Sequence, residues 1–201
     1  MESAARPVTT RDIVLLIVHA AGRQVAGRTV MQKLAYFTGL SLNTALGHRA
    51  HFYGPYSSKV EDAVSNAVIA GELRETVERM PDWRGGPDVL KYTYDLTEAG
   101  EVRVDELIEH NSAEWDQVRD SVKAIKNVLP ELDQKTLSSA AKTYLIISES
   151  AEGVAESEIP AMASRLGWEL SGEQVRGTVD LLERLNLLAD PDESSSEASS
   201  Q

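Results

Sequence analysis

The densest set of functional side chains lies in the stretch His48, Arg49, His51, Phe52, Tyr53, Gly54, Pro55, Tyr56, Ser57, Ser58 and Lys59. Pro55 fixes its own φ and Gly54 tolerates positive φ, so the chain can reverse sharply at this point. Ser57 is a good N-cap, and the helix it opens presents free backbone N–H groups beside Lys59, an arrangement able to hold a phosphate. Tyr56 can add a hydroxyl contact or pack inward, while Phe52 and Tyr53 are expected to pack the core. His48 and His51 stand in an extended stretch that directs them to opposite faces. With no carboxylate beside them they do not read as a metal pair, and both are expected to be solvated or hydrogen-bonded.

Nothing else is spaced for catalysis. The chain has no Walker-type glycine loop, no Gly-x-Ser-x-Gly elbow and no His-Glu-x-x-His. It has no cysteine, which removes disulfides and thiolate metal sites. The many Asp and Glu residues fall on amphipathic faces, where solvation accounts for them. The reading is of a non-enzyme with no cofactor and no metal.

The elements that must position these residues follow from periodicity. Ile13, Leu16, Ile17 and Ala20 mark one face of a helix over 9–21, and Val30, Leu34, Phe37 and Leu40 mark a second over 28–42. Val60, Ala63, Val64, Ala67 and Val68 mark a third, capped by Ser57 or Ser58. Leu73, Glu75 and Val77 alternate on one strand, and Leu90, Tyr92, Tyr94 and Leu96 on another. Turn formers join them through Trp83 and Arg84, and Thr97 caps a further helix. The order is helix, helix, helix, two-stranded wing, helix, the plan of a winged helix-turn-helix. A third small strand is expected just before Gly54.

Trp115, Val118, Val122, Ile125 and Leu129 repeat as a heptad seam. The helix over 113–129 reads as a linker packed on one domain, with a homodimer seam as the alternative. Leu137, Ala141, Tyr144 and Leu145, then Ile159, Met162 and Leu166, then Val175, Val179, Leu182 and Leu185 mark three more helices. Ser157 is read as the cap of the middle one, and Leu187-Leu188 as a strand-like end. The class is mainly α (α+β): a winged-helix domain over 1–111, a linker helix over 112–132, a second helix-turn-helix-like domain over 133–189 and a disordered acidic tail over 190–201.

The 201 residues carry net charge −12, which does not suit a protein that simply coats nucleic acid. The charge is uneven: residues 1–60 hold seven Lys or Arg against Glu2 and Asp12, whereas residues 61–111 hold five against thirteen acidic residues. Two readings stay open: the oppositely charged faces pair with each other, or the basic one forms an anion-binding or acidic-partner surface. No apolar run is long enough to span a membrane, and residues 1–12 lack the apolar core of a secretory leader, so a cytoplasmic protein is expected.

The segments Met31-Gln32-Lys33-Leu34-Ala35-Tyr36-Phe37 and His51-Phe52-Tyr53-Gly54-Pro55-Tyr56-Ser57 together resemble the YwgA-like family of small bacterial and archaeal proteins. They are distantly similar to the Panacea-type domain of antitoxins and proteolysis adaptors. Tyr94-Asp95-Leu96-Thr97-Glu98-Ala99-Gly100 resembles the wing-to-helix junction of winged-helix regulators. The likeness covers roughly residues 10–110. The YwgA-like group implies a fold without a settled activity; the Panacea likeness implies neutralising or delivering a partner protein.

Two functions are therefore expected. The first is a winged-helix regulator on DNA. It would use Arg11, Arg28, Lys33, Arg49, Ser58, Lys59 and Asn66 together with Arg74, Arg79 and Arg84 of the wing, although Glu61 and Asp62 on the recognition helix would oppose phosphate. The second is a protein adaptor or antitoxin-like module that binds through Tyr53, Tyr56, Trp83, Trp115, Val118, Val122 and Ile125.

Overall fold

A capping box starts the chain's first helix, α1 (Thr10–Ala20): the Asp12 N–H donates to Thr9 Oγ1 at 3.2 Å, and the Thr9 N–H donates to the Asp12 carboxylate at 3.0 Å. Residues 13–18 of α1 are all buried. A helix that is apolar all round must be enclosed, and α1 is packed against α3, α4 and α5, introduced below. The sequence pattern led to one buried face; the uninterrupted apolar run Ile13, Val14, Leu15, Leu16, Ile17, Val18 is what the fold encloses.

The computed structural model describes residues 7–81, 88–150 and 153–188. After α1 come β1 (Gln24–Ala26), α2 (Arg28–Ser41), α3 (Ser58–Ile69), β2 (Leu73–Met80), β3 (Val89–Leu96) and α4 (Glu98–His110). Then follow α5 (Ser112–Val128), α6 (Gln134–Glu149), α7 (Ile159–Arg165) and α8 (Gly172–Arg184). The architecture is mainly helical with one small antiparallel sheet, an α+β arrangement in which β3 lies between β1 and β2. Ser57, Thr97 and Ser171 cap α3, α4 and α8 through their hydroxyls. Trp83, Arg84 and the tail over 190–201 lie outside the described residues.

Four local expectations need correction. The third strand is Gln24–Ala26, paired with β3 from Gln24 opposite Asp95 to Ala26 opposite Thr93; near Gly54 there is only an isolated bridge between Arg49 and Tyr56. Residues 187–188 form no strand, and the N-cap of α7 is Glu158 rather than Ser157; its carboxylate accepts the Ala155 N–H at 3.1 Å and makes no capping bond to the helix. The seam of α5 is not free: α5 packs on α1 and α2 and buries Val118, Val122 and Ile125. Lys126 fixes the same helix by donating to the Ala21 carbonyl at 2.6 Å.

The buried side chains of both halves form one cluster, because α2 is covered by α6 as well as by α5. This double cover explains why polar residues of α2, Gln32, Lys33 and Thr38, are buried along with its apolar ones.

Gly100 explains the junction motif before α4. A Cβ there would lie 2.2 Å from the Glu72 carbonyl oxygen and 2.8 Å from Leu96 Cδ1. The Thr97 N–H and hydroxyl both donate to that same carbonyl, so the backbone cannot withdraw without breaking the cap. Gly100→Ala is expected to destabilise the fold by about 2 kcal/mol, read as a lower urea midpoint at unchanged slope.

Candidate interaction site

The segments 31–37 and 51–57 meet in space. Gln32 of α2 reaches Ser57: its side-chain N–H donates to the Ser57 carbonyl and the Ser57 N–H donates to its side-chain oxygen, both at 2.9 Å. Lys33 is 1 % exposed and donates to the Pro55 carbonyl at 2.6 Å. The Ser57 hydroxyl donates to the Leu46 carbonyl at 2.5 Å and accepts the Val60 N–H at 3.3 Å, so one side chain ties the loop to the first turn of α3. Gln32 and Lys33 thus satisfy the backbone of a turn that has no sheet to bond with.

Gly54 completes the turn at φ +92°, where a side chain is strained. It also approaches α6 closely: an added Cβ would lie 3.0 Å from Lys142 Cγ and 3.4 Å from the Ser138 carbonyl oxygen. From the second half of the chain, the indole N–H of buried Trp168 donates to the His51 carbonyl at 2.7 Å. Between these anchors Phe52 and Tyr53 stand 79 % and 66 % exposed. Both were expected in the core. The turn instead projects them outward, because their carbonyl neighbours are held inward.

A pocket of about 310 Å³ opens beside the turn, bordered by Arg28, His51, Tyr53, Tyr56, Glu75 and Tyr94 among others. The Arg28 guanidinium lies 3.7 Å from the centre of the Tyr92 ring and 3.8 Å from the Glu75 carboxylate. Tyr56 donates its hydroxyl to Glu61, which pushes the phenol up to about 12. On the outward side of α3, Ser58, Lys59, Glu61, Asp62, Ser65 and Asn66 are exposed, and Ile69 is 84 % exposed.

The fold separates the basic residues selected from the sequence. Lys33 is inside and cannot meet a phosphate backbone. Arg11 is paired with Glu72 at 2.5 Å, and Arg28 is engaged as above. Arg23, also in the basic first third, is paired with Glu101. Arg79 lies 3.8 Å from Asp88. Among the described residues, Arg49, Lys59 and Arg74 are exposed without an ion pair. Of the residues proposed for a partner, Tyr53 and Tyr56 reach the pocket, whereas Trp115 packs edge-on against His19 at 5.3 Å and Val118, Val122 and Ile125 are interior. Sequence reasoning missed Gln32 and Trp168. A polar residue on the buried side of α2 was a signal for the first; the second lies too far along the chain to have left one.

No family model matches the chain, and neither does any curated protein.

The site has a titration signature. Burial, then the charge of Lys142, lowers Lys33 from 10.5 to about 7. Burial, with Lys33 adding to it, lowers His48 from 6.5 to about 4 even though the Gln32 carbonyl works the other way. Between folded and unfolded values only the unfolded chain holds the extra proton, so stability rises with pH across that window. His48 contributes such a rise from about 4 to 6.5 and Lys33 from about 7 to 10.5. Lys33→Met is expected to flatten the upper rise in urea unfolding between pH 7 and 9 while leaving the lower one. Gln32→Leu leaves the Ser57 N–H unsatisfied and the Ser57 carbonyl with the Glu61 N–H alone, and is expected to cost about 2 kcal/mol in the same measurement.

Proposed function

We propose that the chain is a non-enzymatic interaction module built on a winged-helix scaffold, and that its partner is a protein. The order α1, β1, α2, α3, β2, β3, with β3 central in the sheet, supports the winged-helix reading and makes α3 the counterpart of a recognition helix. The observation that carries the choice of partner is the character of the face around α3. Glu61, Asp62 and Ile69 are exposed on α3, Phe52 and Tyr53 are exposed on the loop that precedes it, and Tyr53 and Glu61 border the same pocket. Acidic side chains repel phosphate, whereas exposed aromatics beside carboxylates suit a partner presenting apolar and basic side chains.

The neutralisation of Arg11, Arg23 and Arg28 by Glu72, Glu101 and Glu75 supports the same reading. It leaves the basic first third of the sequence with little net field to steer DNA. It supports reading the chain as an adaptor or antitoxin-like factor, the role that a resemblance to Panacea-type domains implies.

Gel shift with duplex DNA at low salt and crosslinked co-purification from cells, run on the same sample, test the proposal. No duplex shift is expected. A protein captured by the wild-type chain is expected to be lost with Phe52→Ala or Tyr53→Ala, each weakening binding by about 2 kcal/mol or roughly 30-fold, and retained with Arg74→Glu. Duplex binding that falls steeply with salt and disappears in Lys59→Glu and Arg74→Glu would replace this reading with a DNA-binding regulator.

A further inference from the structure

We infer that β2 pairs with β2 of a second copy of this chain, antiparallel and centred on Val77, to make a symmetric dimer with a continuous six-stranded sheet. The inference is independent of the partner proposed above and starts from the hydrogen bonds of β3. The Tyr92 carbonyl accepts the Gly27 N–H at 2.8 Å and the Leu96 N–H donates to the Arg23 carbonyl at 2.9 Å. The even-numbered residues of β3 therefore face β1, and the odd-numbered ones bond β2. Those odd residues, Lys91, Thr93 and Asp95, stand opposite Glu78, Thr76 and Arg74. The backbone groups of Glu75, Val77 and Arg79 consequently point to the other side of β2. Among the described residues no strand pairs with that edge.

An eight-residue open edge is long, and edges of that kind recruit other strands unless they are blunted. This one carries neither proline nor a bulge in its register with β3. Its charges are self-complementary. When β2 meets a copy of itself centred on Val77, Glu75 of each copy faces Arg79 of the other, and Val77 faces Val77. All three positions present the outward backbone groups that such a ladder needs. Centring on Glu75, Glu78 or Arg79 sets like charges opposite each other. Centring on Thr76 matches Arg74 with Glu78 but sets Val77 against Glu75.

The side chains agree with the backbone. Val77 is 47 % exposed and pairs with Tyr92 across the wing. In the dimer a row of Tyr92, Val77, Val77 and Tyr92 crosses four strands on one face, the cross-strand contact that stabilises sheets. The contacts of Glu75 with Arg28 and of Arg79 with Asp88 are both 3.8 Å, longer than a charge-assisted hydrogen bond, so each side chain can take a second partner across the axis while Glu75 stays beside Arg28 and the Tyr94 hydroxyl. A two-fold axis through Val77 makes the interface isologous and closed.

Sedimentation of the full chain tests this. The mass is expected to rise with concentration to twice 22.0 kDa. Val77→Pro removes an outward N–H that β3 does not use and is expected to abolish the rise with unchanged circular dichroism. A second variant does not depend on that proline being tolerated. The chain contains no cysteine, and a hydrogen-bonded antiparallel pair sets Cα atoms about 5.5 Å apart, within disulfide range. Val77→Cys is expected to form a covalent dimer under mild oxidation at least tenfold faster than Thr76→Cys. A chain that stays at 22.0 kDa into the hundreds of micromolar, a folded Val77→Pro variant that still doubles its mass, or equal crosslinking of the two cysteine variants would overturn the inference.

Discussion

The grip of Gln32 and Lys33 on the backbone of residues 55–57 is the contact on which the rest of the site depends. A loop between two helices must satisfy its N–H and C=O groups somewhere, and water cannot reach these. Two long polar side chains on a buried helix do it instead. They can do so only because α2 is enclosed between α5 and α6, which excludes solvent and keeps both side chains in one conformation. The turn then sets the start of α3 through Ser57, and α3 sets the start of β2. The cost is a desolvated amine. It is limited because Lys33 can lose its proton near neutrality and still donate to Pro55.

Charge plays a different part from the one its distribution implies. Arg11, Arg23, Arg28 and Arg103 join elements far apart in sequence: α1 to the start of β2, the turn before β1 to α4, α2 to β2, and α4 back to the cap of α1. The Asp12 carboxyl illustrates the balance. Burial raises it, but its bonds to Thr9 and Arg103 outweigh that and hold it below the ordinary value. The more exposed pairs, Arg23 with Glu101 and Arg28 with Glu75, contribute little each to stability. Their effect here is to leave the exposed face around α3 acidic and apolar.

Much of this was legible in the residues. The helices capped by Thr9, Ser57, Thr97 and Ser171 and the alternation of β3 follow from local chemistry, and the structure places them within a residue or two. β1 was not legible, because three residues with one buried side chain carry no period. Val118, Val122 and Ile125 of α5 were offered to a partner for a related reason: a heptad stripe says that a face is covered, and says nothing of whether the cover is the same chain. Lys33 was misplaced because a lysine reads as solvated by type unless the second helix over it is known. Phe52 and Tyr53 were misplaced because aromatic residues are assigned to cores by type, whereas the hydrogen bonds around His51, Gly54 and Pro55 decide which way the loop faces.

Trp168 lies 117 positions from the carbonyl it binds, yet the bond is short, and Gly54 rests against the same second half. Phe52 and Tyr53 are consequently held at both ends of their loop before anything touches them. Ordering a loop on association is a substantial part of what weakens many interfaces. Here that ordering is done during folding, by Trp168 in the segment between α7 and α8 and by the side of α6 that meets Gly54. The C-terminal half thus acts as the mount for an aromatic pair displayed by the N-terminal half, and cutting the chain between them would leave the display without its mount.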